Sequence, residues 1–264
     1  MTRSQRVELC SGFLLHQRPF RDSSLILELY TREYGRLTAF ARAARGQSRR
    51  FAGLQPFQPL LLSWSGRGEA PTLTAAERDG PAVQLPSAAL MGAFYLNELL
   101  LRLTIAHDPQ PDLYHDYAAA VAALGDSAPL EPTLRRFELA LLEHAGYGVE
   151  FDREAGEGEP VRDDAYYHLL PGVGLRRALA GAPGATSGRV LLQLAAGGGL
   201  PDDAEGRQQV RALLRTALDH CLEGRELSSR TVARALARRQ QAAVQQAAVQ
   251  QAAVQQGANG HGRG

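Results

Sequence analysis

Lysine is absent from this 264-residue sequence: all 29 basic residues are arginine. A GC-rich coding bias explains the missing lysine but not where the arginines sit. Cysteine is scarce, with only Cys10 and Cys221. Two thiols are too few for a structural zinc site of their own, and no histidine pattern joins them, so both are read as buried small hydrophobes in a reducing, cytoplasmic compartment. No run of 18 apolar residues occurs, which excludes a transmembrane helix, and Met1 to Arg6 is not followed by the apolar core of a secretory signal. Chemistry-bearing motifs are missing too. Gly197-Gly198-Gly199 has no following Lys-Ser/Thr, and Ser11-Gly12 and Ser187-Gly188 are not nucleophile elbows.

What remains is ordinary in amount and uneven in distribution. Hydrophobic residues make up 44% and charged residues 22%, enough for a real core. The net charge of +1 hides two halves: residues 1–80 hold 12 Arg against seven acids, and the remainder 17 Arg against 21 acids. The basic character therefore belongs to the N-terminal part.

That part reads as β. Val7–His16, Ser24–Thr31, Tyr34–Ala41, Gln58–Trp64 and Pro71–Glu77 are short apolar-rich runs, the second and third joined by a tight Arg32-Glu33-Tyr34-Gly35 connection. Five strands in about 75 residues predict a small closed barrel of the oligonucleotide-binding (OB) type over 1–80. Residues 81–86 are read as a linker. From 87 to 239 the periodicity is helical, giving an all-helical C-terminal domain and an α+β chain overall. Ser87 is read as the cap of a central helix, and a second helix carries Leu113, Tyr117, Val121 and Leu124, with Asp112 as its cap. A third carries Leu134, Phe137, Leu141 and Leu142 and stops at Gly146. Residues 147–186 look like an irregular insertion with one strand-like patch, Tyr166–Leu170. Helices at about 187–196, 203–222 and 229–238 follow. The 240–264 tail repeats Gln-Gln-Ala-Ala-Val. A five-residue period turns about 140° per repeat on a helix, so its valines share no face, and disorder is expected.

Two features bear on function. Between Glu33 and Glu69 there is no acid, whereas Arg36, Arg42, Arg45, Arg49, Arg50 and Arg67 lie there with Tyr34, Phe40, Phe51, Phe57 and Trp64 interleaved. Single-stranded nucleic acid needs cations for phosphates and flat rings for bases, and guanidinium serves both. Arg18, Arg21, Arg36, Arg42, Arg45, Arg49, Arg50 and Tyr34 are therefore the candidate contacts, although Phe57 and Trp64 fit a barrel core better. If four or five phosphates are neutralised, log K falls with log salt at a slope of roughly −3 to −3.5. The second feature is His107-Asp108 and His115-Asp116, which would suit a metal-dependent phosphohydrolase only if three or four ligands converged. The spacing between helices favours plain connector residues. An RNA-binding OB protein is a further alternative that composition leaves open.

With these elements placed, the chain resembles the RecO family of bacterial DNA repair proteins. The resemblance rests on Gly12–His16, Arg18–Leu25, Tyr30–Arg36, Ala41–Arg45, Leu54–Phe57 and Trp64–Glu69. In the helical part it rests on Tyr95–Leu99, Arg136–Glu138, Leu141–Gly148, Pro171–Gly174 and Leu227–Arg230. It implies an OB domain followed by helices, and a non-enzymatic recombination mediator without cofactors. Such proteins bind single- and double-stranded DNA, anneal complementary strands, engage the acidic, aromatic-ended tail of the single-stranded DNA-binding protein (SSB), and help RecA load with a RecR-type partner. Some members carry a four-cysteine zinc site. The matching stretch here, Asp152–Glu159, has no cysteine, so no metal is expected. A tail site needs Arg beside an apolar pocket; Arg135, Arg136 and Phe137 are the candidates.

Overall fold

Alternating apolar residues build the N-terminal half. In the computed structural model, which describes residues 5–42, 44, 49–51, 53–66, 68, 70–236 and 238 (backbone alone at 5 and 49), five strands close into a barrel. They are β1 (Gln5–Phe20), β2 (Ser24–Thr31), β3 (Gly35–Ala41), β4 (Leu60–Gly66) and β5 (Thr72–Arg78), in the order β1-β2-β3-β5-β4. Strand β1 is long enough to pair with β2 through its C-terminal half and with β4 through its N-terminal half, which closes the barrel. The β3–β5 contact is parallel and short, with Phe40 opposite Thr72. Period-two alternation is clearest in β3, where Leu37, Ala39 and Ala41 are buried and the residues between them are half-exposed. Leu14, Leu27, Leu29, Leu37, Leu60, Leu62, Trp64 and Leu73 fill the interior.

Helices α1 (Ser87–Leu103), α2 (Pro111–Gly125) and α3 (Leu130–His144) follow. Ser87 lies inside α1, whose cap position is Pro86, and Asp112 falls in the first turn of α2 because Pro111 takes its first position. There Asp112 acts on the positive helix end without capping it. Gly146, at φ +80°, ends the turn after α3, a conformation that suits glycine.

The stretch expected as an irregular insertion carries a three-stranded sheet: β6 (Tyr166–Leu170), β7 (Gly174–Ala178) and β8 (Thr186–Ser187), in the order β7-β6-β8. Strand β7 carries two arginines and β8 has two residues, so neither shows an apolar period in sequence. Helices α4 (Gly188–Ala195) and α5 (Ala204–Cys221) complete this half, the latter capped by the Asp203 carboxylate, which accepts from the Gly206 amide at 2.7 Å. The segment matching the four-cysteine stretch is closed by backbone hydrogen bonds, Glu154 N–H to Glu159 O and Val161 N–H to Asp152 O, and by the Arg177–Glu154 ion pair at 3.0 Å. Its donors are carboxylates and carbonyls with no thiolate, so it does not fit that zinc site.

Barrel and helices belong to one compact unit, Met1–Arg225; a second, Glu226–Gly264, is helical over 228–236. The repeat at 240–264 lies outside the described residues. Within the first unit, Phe13 and Tyr30 stand opposite each other on β1 and β2 and meet Tyr114 and Tyr117 of α2, with ring centroids 5.0–6.1 Å apart. Asn97, buried in α1, donates to the Leu15 carbonyl at 2.9 Å and accepts from the Tyr117 hydroxyl at 2.5 Å. Gln58 donates to the Val83 carbonyl and accepts from its amide, which fixes the 81–86 connection against the barrel. Among the described residues, no helix is long and apolar enough to cross a membrane.

Candidate nucleic-acid interface

The β1–β2–β3 register decides which barrel residues share a face. Arg18 pairs with Ile26, and Ile26 with Phe40, so these three side chains stand side by side across the sheet. Phe20, two residues on from Arg18, joins the same face. Its ring lies 5.4 Å from that of Phe40, and both are half-buried. Arg21 follows in the β1–β2 turn at φ +52°, an uncommon conformation for a residue other than glycine. The Arg21 guanidinium carbon sits 5.2 Å from the Phe20 ring centroid, in cation–π range. Arg18, Arg21 and Arg42 are exposed beside this pair of rings, and Arg50 is exposed on the 3₁₀ turn Arg49–Phe51, which packs against β5. Neither Arg18 nor Arg42 has an acidic partner among the described residues.

Single-strand binding draws on rings for base faces and exposed cations for phosphates. Guanidinium groups keep their charge at every accessible pH, so attraction to a polyanion does not depend on titration.

Two of the sequence candidates do other work. Arg36 donates to the Thr104 carbonyl at 3.1 Å and to the Thr104 hydroxyl at 3.3 Å, and pairs with Glu28 at 3.4 Å. Its own carbonyl accepts from the His107 amide at 2.8 Å. The guanidinium is thus spent on joining β3 to the end of α1. Tyr34 packs edge-on against Trp64 at 5.1 Å, and its amide donates to the Thr31 hydroxyl. It extends the barrel core, as the buried Phe51 and Trp64 also do, whereas the buried Phe57 stacks on Phe94 of α1 at 5.0 Å. Arg45 and Arg67 lie outside the described residues, as does the side chain of Arg49. Phe20, which sequence reading passed over, and Phe40 are the half-buried rings that stand beside exposed arginines. Their only sequence signal is their place on opposite strands at the open end of the barrel, beside Arg18, Arg21 and Arg42.

The His-Asp pairs do not converge. His107, at φ +61°, belongs to the connector that packs on Arg36, while Asp116 faces His144 at 3.6 Å. Among the described residues no three His, Cys, Asp or Glu side chains gather as a metal would need. Cys10 is buried and donates to the Glu33 carboxylate at 3.0 Å; burial first, then Glu33, pushes its pKa up to about 12, so it stays a thiol.

The second candidate surface lies between α2 and α3. Asp116, Ala119, Ala120 and Ala123 occupy one face of α2, and Thr133, Arg136 and Phe137 one face of α3. The alanines are too short to meet α3, which leaves a cavity of about 260 Å³ with Phe137 in its wall and Arg136 at its mouth. Arg136 is exposed and has no acidic partner among the described residues. Its neighbour Arg135 is committed inward, 2.6 Å from the fully buried Glu138, whose other oxygen accepts from the Tyr95 hydroxyl. Phe137 itself is 2% exposed and stacks edge-on with Tyr117. Of the three tail candidates, only Arg136 is free to reach a ligand. A larger cavity, about 550 Å³, is lined by Glu143, Glu150 and Asp152 and would repel an acidic chain end.

Comparison with known proteins places both halves. The description "Recombination protein O N terminal" matches residues 6–79, and "Recombination protein O C terminal" matches residues 87–231. The chain is 43% identical over 244 residues to the DNA repair protein RecO of Azoarcus sp., covering 89% of this chain and 99% of that one. It is 45% identical over 244 residues to the DNA repair protein RecO of Alkalilimnicola ehrlichii, covering 88% and 93%. It is 44% identical over 230 residues to that of Halorhodospira halophila, covering 85% and 96%.

Proposed function

Because the chain belongs to the RecO family of DNA repair proteins, we propose that it serves repair and recombination as a mediator that performs no covalent chemistry: it holds single- and double-stranded DNA on the open face of its barrel and anneals complementary strands. The observation that carries this reading is the Phe20–Phe40 pair ringed by Arg18, Arg21 and Arg42. Two strands repel each other through their phosphates. A strand whose phosphates are partly neutralised by arginines, with bases stacked on aromatic rings and their pairing edges outward, presents a lower barrier to its complement. Contacts to backbone and ring faces carry little sequence preference.

The cavity between α2 and α3 supports the partner half of the proposal. An SSB tail that ends in acidic residues and an aromatic would place its ring against the alanine face and a carboxylate on Arg136. Holding SSB there while the barrel holds the exposed strand brings annealing to SSB-coated DNA, and with a RecR-type partner gives RecA access to it. The protein would work in the cytoplasm, where the chromosome lies.

The test is annealing of complementary oligonucleotides precoated with SSB. Acceleration by the wild-type chain, lost in the combined Arg18→Ala, Arg21→Ala, Arg42→Ala and Arg50→Ala variant, is expected. Unchanged annealing with and without the protein would overturn the proposal. Competition by RNA of the same sequence separates a DNA mediator from a general single-strand binder.

A further inference from the structure

The mouth of the α2–α3 cavity carries an acid as well as a base. Asp116 is 47% exposed and lines the same space of about 260 Å³ as Arg136. Its carboxylate is placed by His144, whose Nε2 lies 3.6 Å away at the C-terminal end of α3. A cavity built for affinity toward acidic chain ends alone would carry no carboxylate there. We infer that Asp116 is a specificity-determining residue of this cavity, admitting a chain end that presents one carboxylate to Arg136 and discriminating against ends that crowd further carboxylates beside it. The inference rests on the reading of the cavity as the seat of an acidic, aromatic-ended tail.

The cavity is small, closer to the room of one aromatic ring than to a site for a large ligand. An occupant's ring can go only between the alanines of α2 and Phe137. Its terminal carboxylate then lies at the mouth, between a cation that has no acidic partner among the described residues and an anion. The first carboxylate takes Arg136. A second finds Arg136 already neutralised and Asp116 lining the same space, where like charges repel. Asp116 therefore sets a ceiling on how strongly an acidic tail is held, which keeps the tail exchangeable, and it fixes the direction in which the tail enters.

The experiment uses the full chain and fluorescent peptides ending in an aromatic residue, with one, two or four acidic residues before it, each with a free or an amidated C-terminus. Wild type, Asp116→Asn and Arg136→Gln are compared by anisotropy, after thermal unfolding has established that each variant folds. The Asp116–His144 pair is a partly exposed one and adds little stability, so Asp116→Asn is expected to fold. With Asp116→Asn, affinity for the four-acid peptide should rise about three- to tenfold, while the one-acid amidated peptide changes less than about twofold. Arg136→Gln should weaken every free-carboxylate peptide. If Arg136→Gln weakens binding but Asp116→Asn leaves the charge series as in wild type, the inference about Asp116 fails and the cavity reading stands. If no peptide binds in an Arg136-dependent way, the cavity reading itself fails.

Discussion

Two aromatic clusters sit on one barrel and differ in what covers them. Phe13 and Tyr30 are 2% and 1% exposed, because α2 lays Tyr114 and Tyr117 over them. Phe20 and Phe40 are half-buried; among the described residues they stack on each other, with Arg21 against Phe20. The residue types are similar, and strand β1 contributes one ring to each cluster. The covered cluster is spent on joining the two halves of the molecule. The open one keeps part of its ring surface exposed beside charge, as the proposed DNA binding requires. An aromatic residue's role here follows from which neighbour the fold assigns to it.

That contrast can be broken by substitution. The largest effect is expected at the covered cluster: Phe13→Ala removes a buried ring from between β1 and α2 and should cost about 3–5 kcal/mol, read as a shift of the urea midpoint. Phe20→Ala together with Phe40→Ala should lower single-strand affinity by about 1–3 kcal/mol for each base that loses its platform, with a much smaller change in the urea midpoint. If instead the open pair proves as costly to stability as Phe13, the distinction collapses.

Arg36 sharpens the comparison from the charged side. Arg36→Ala leaves the Thr104 carbonyl without this donor and Glu28 with the Thr38 hydroxyl in place of the ion pair, so a stability loss of about 1–3 kcal/mol is expected. The salt dependence of DNA binding should stay as in wild type; a flatter slope would return Arg36 to the DNA surface. The smallest effect concerns pH. Cys10, raised from 9.0 to about 12 by burial, and the buried phenols of Tyr30, Tyr114 and Tyr117, also raised mainly by burial, hold their protons more tightly folded than unfolded. Their contribution is complete below pH about 9 and is lost as pH rises toward the folded values. Unfolding free energy measured between pH 7 and 10.5 should be level with respect to these groups at first and then decline. Cys10→Ala should remove some of the part of that decline that begins lowest, the rest belonging to Cys221, whose thiol burial also pushes up.

Much of this was legible in the residues. The five strands and their closure follow from short apolar runs punctuated by turns, and α2 and α3 from i, i+4 spacing with Gly146 as a stop. The acid-free interval pointed to the barrel as the basic half. Other features depend on neighbours distant in sequence. Arg36 and Arg42 are alike in sequence, and only the approach of Thr104, 68 residues on, separates them. Tyr34 turns inward because Trp64 comes beside it when β4 closes against β1. Phe20 and Phe40 become a pair only through the β1–β2–β3 register. The sheet over 166–187 had a single visible strand, since β7 and β8 take their form from pairing with β6.

The most direct measurement of the central claim is single-strand affinity as a function of salt for wild type and for the variant with Arg18, Arg21, Arg42 and Arg50 all changed to Ala. If these four arginines neutralise phosphates at the open end of the barrel, the slope of log K against log salt should flatten by about 3 and affinity at low salt should fall sharply. An unchanged slope in a folded variant would contradict the account and place the DNA elsewhere on the molecule.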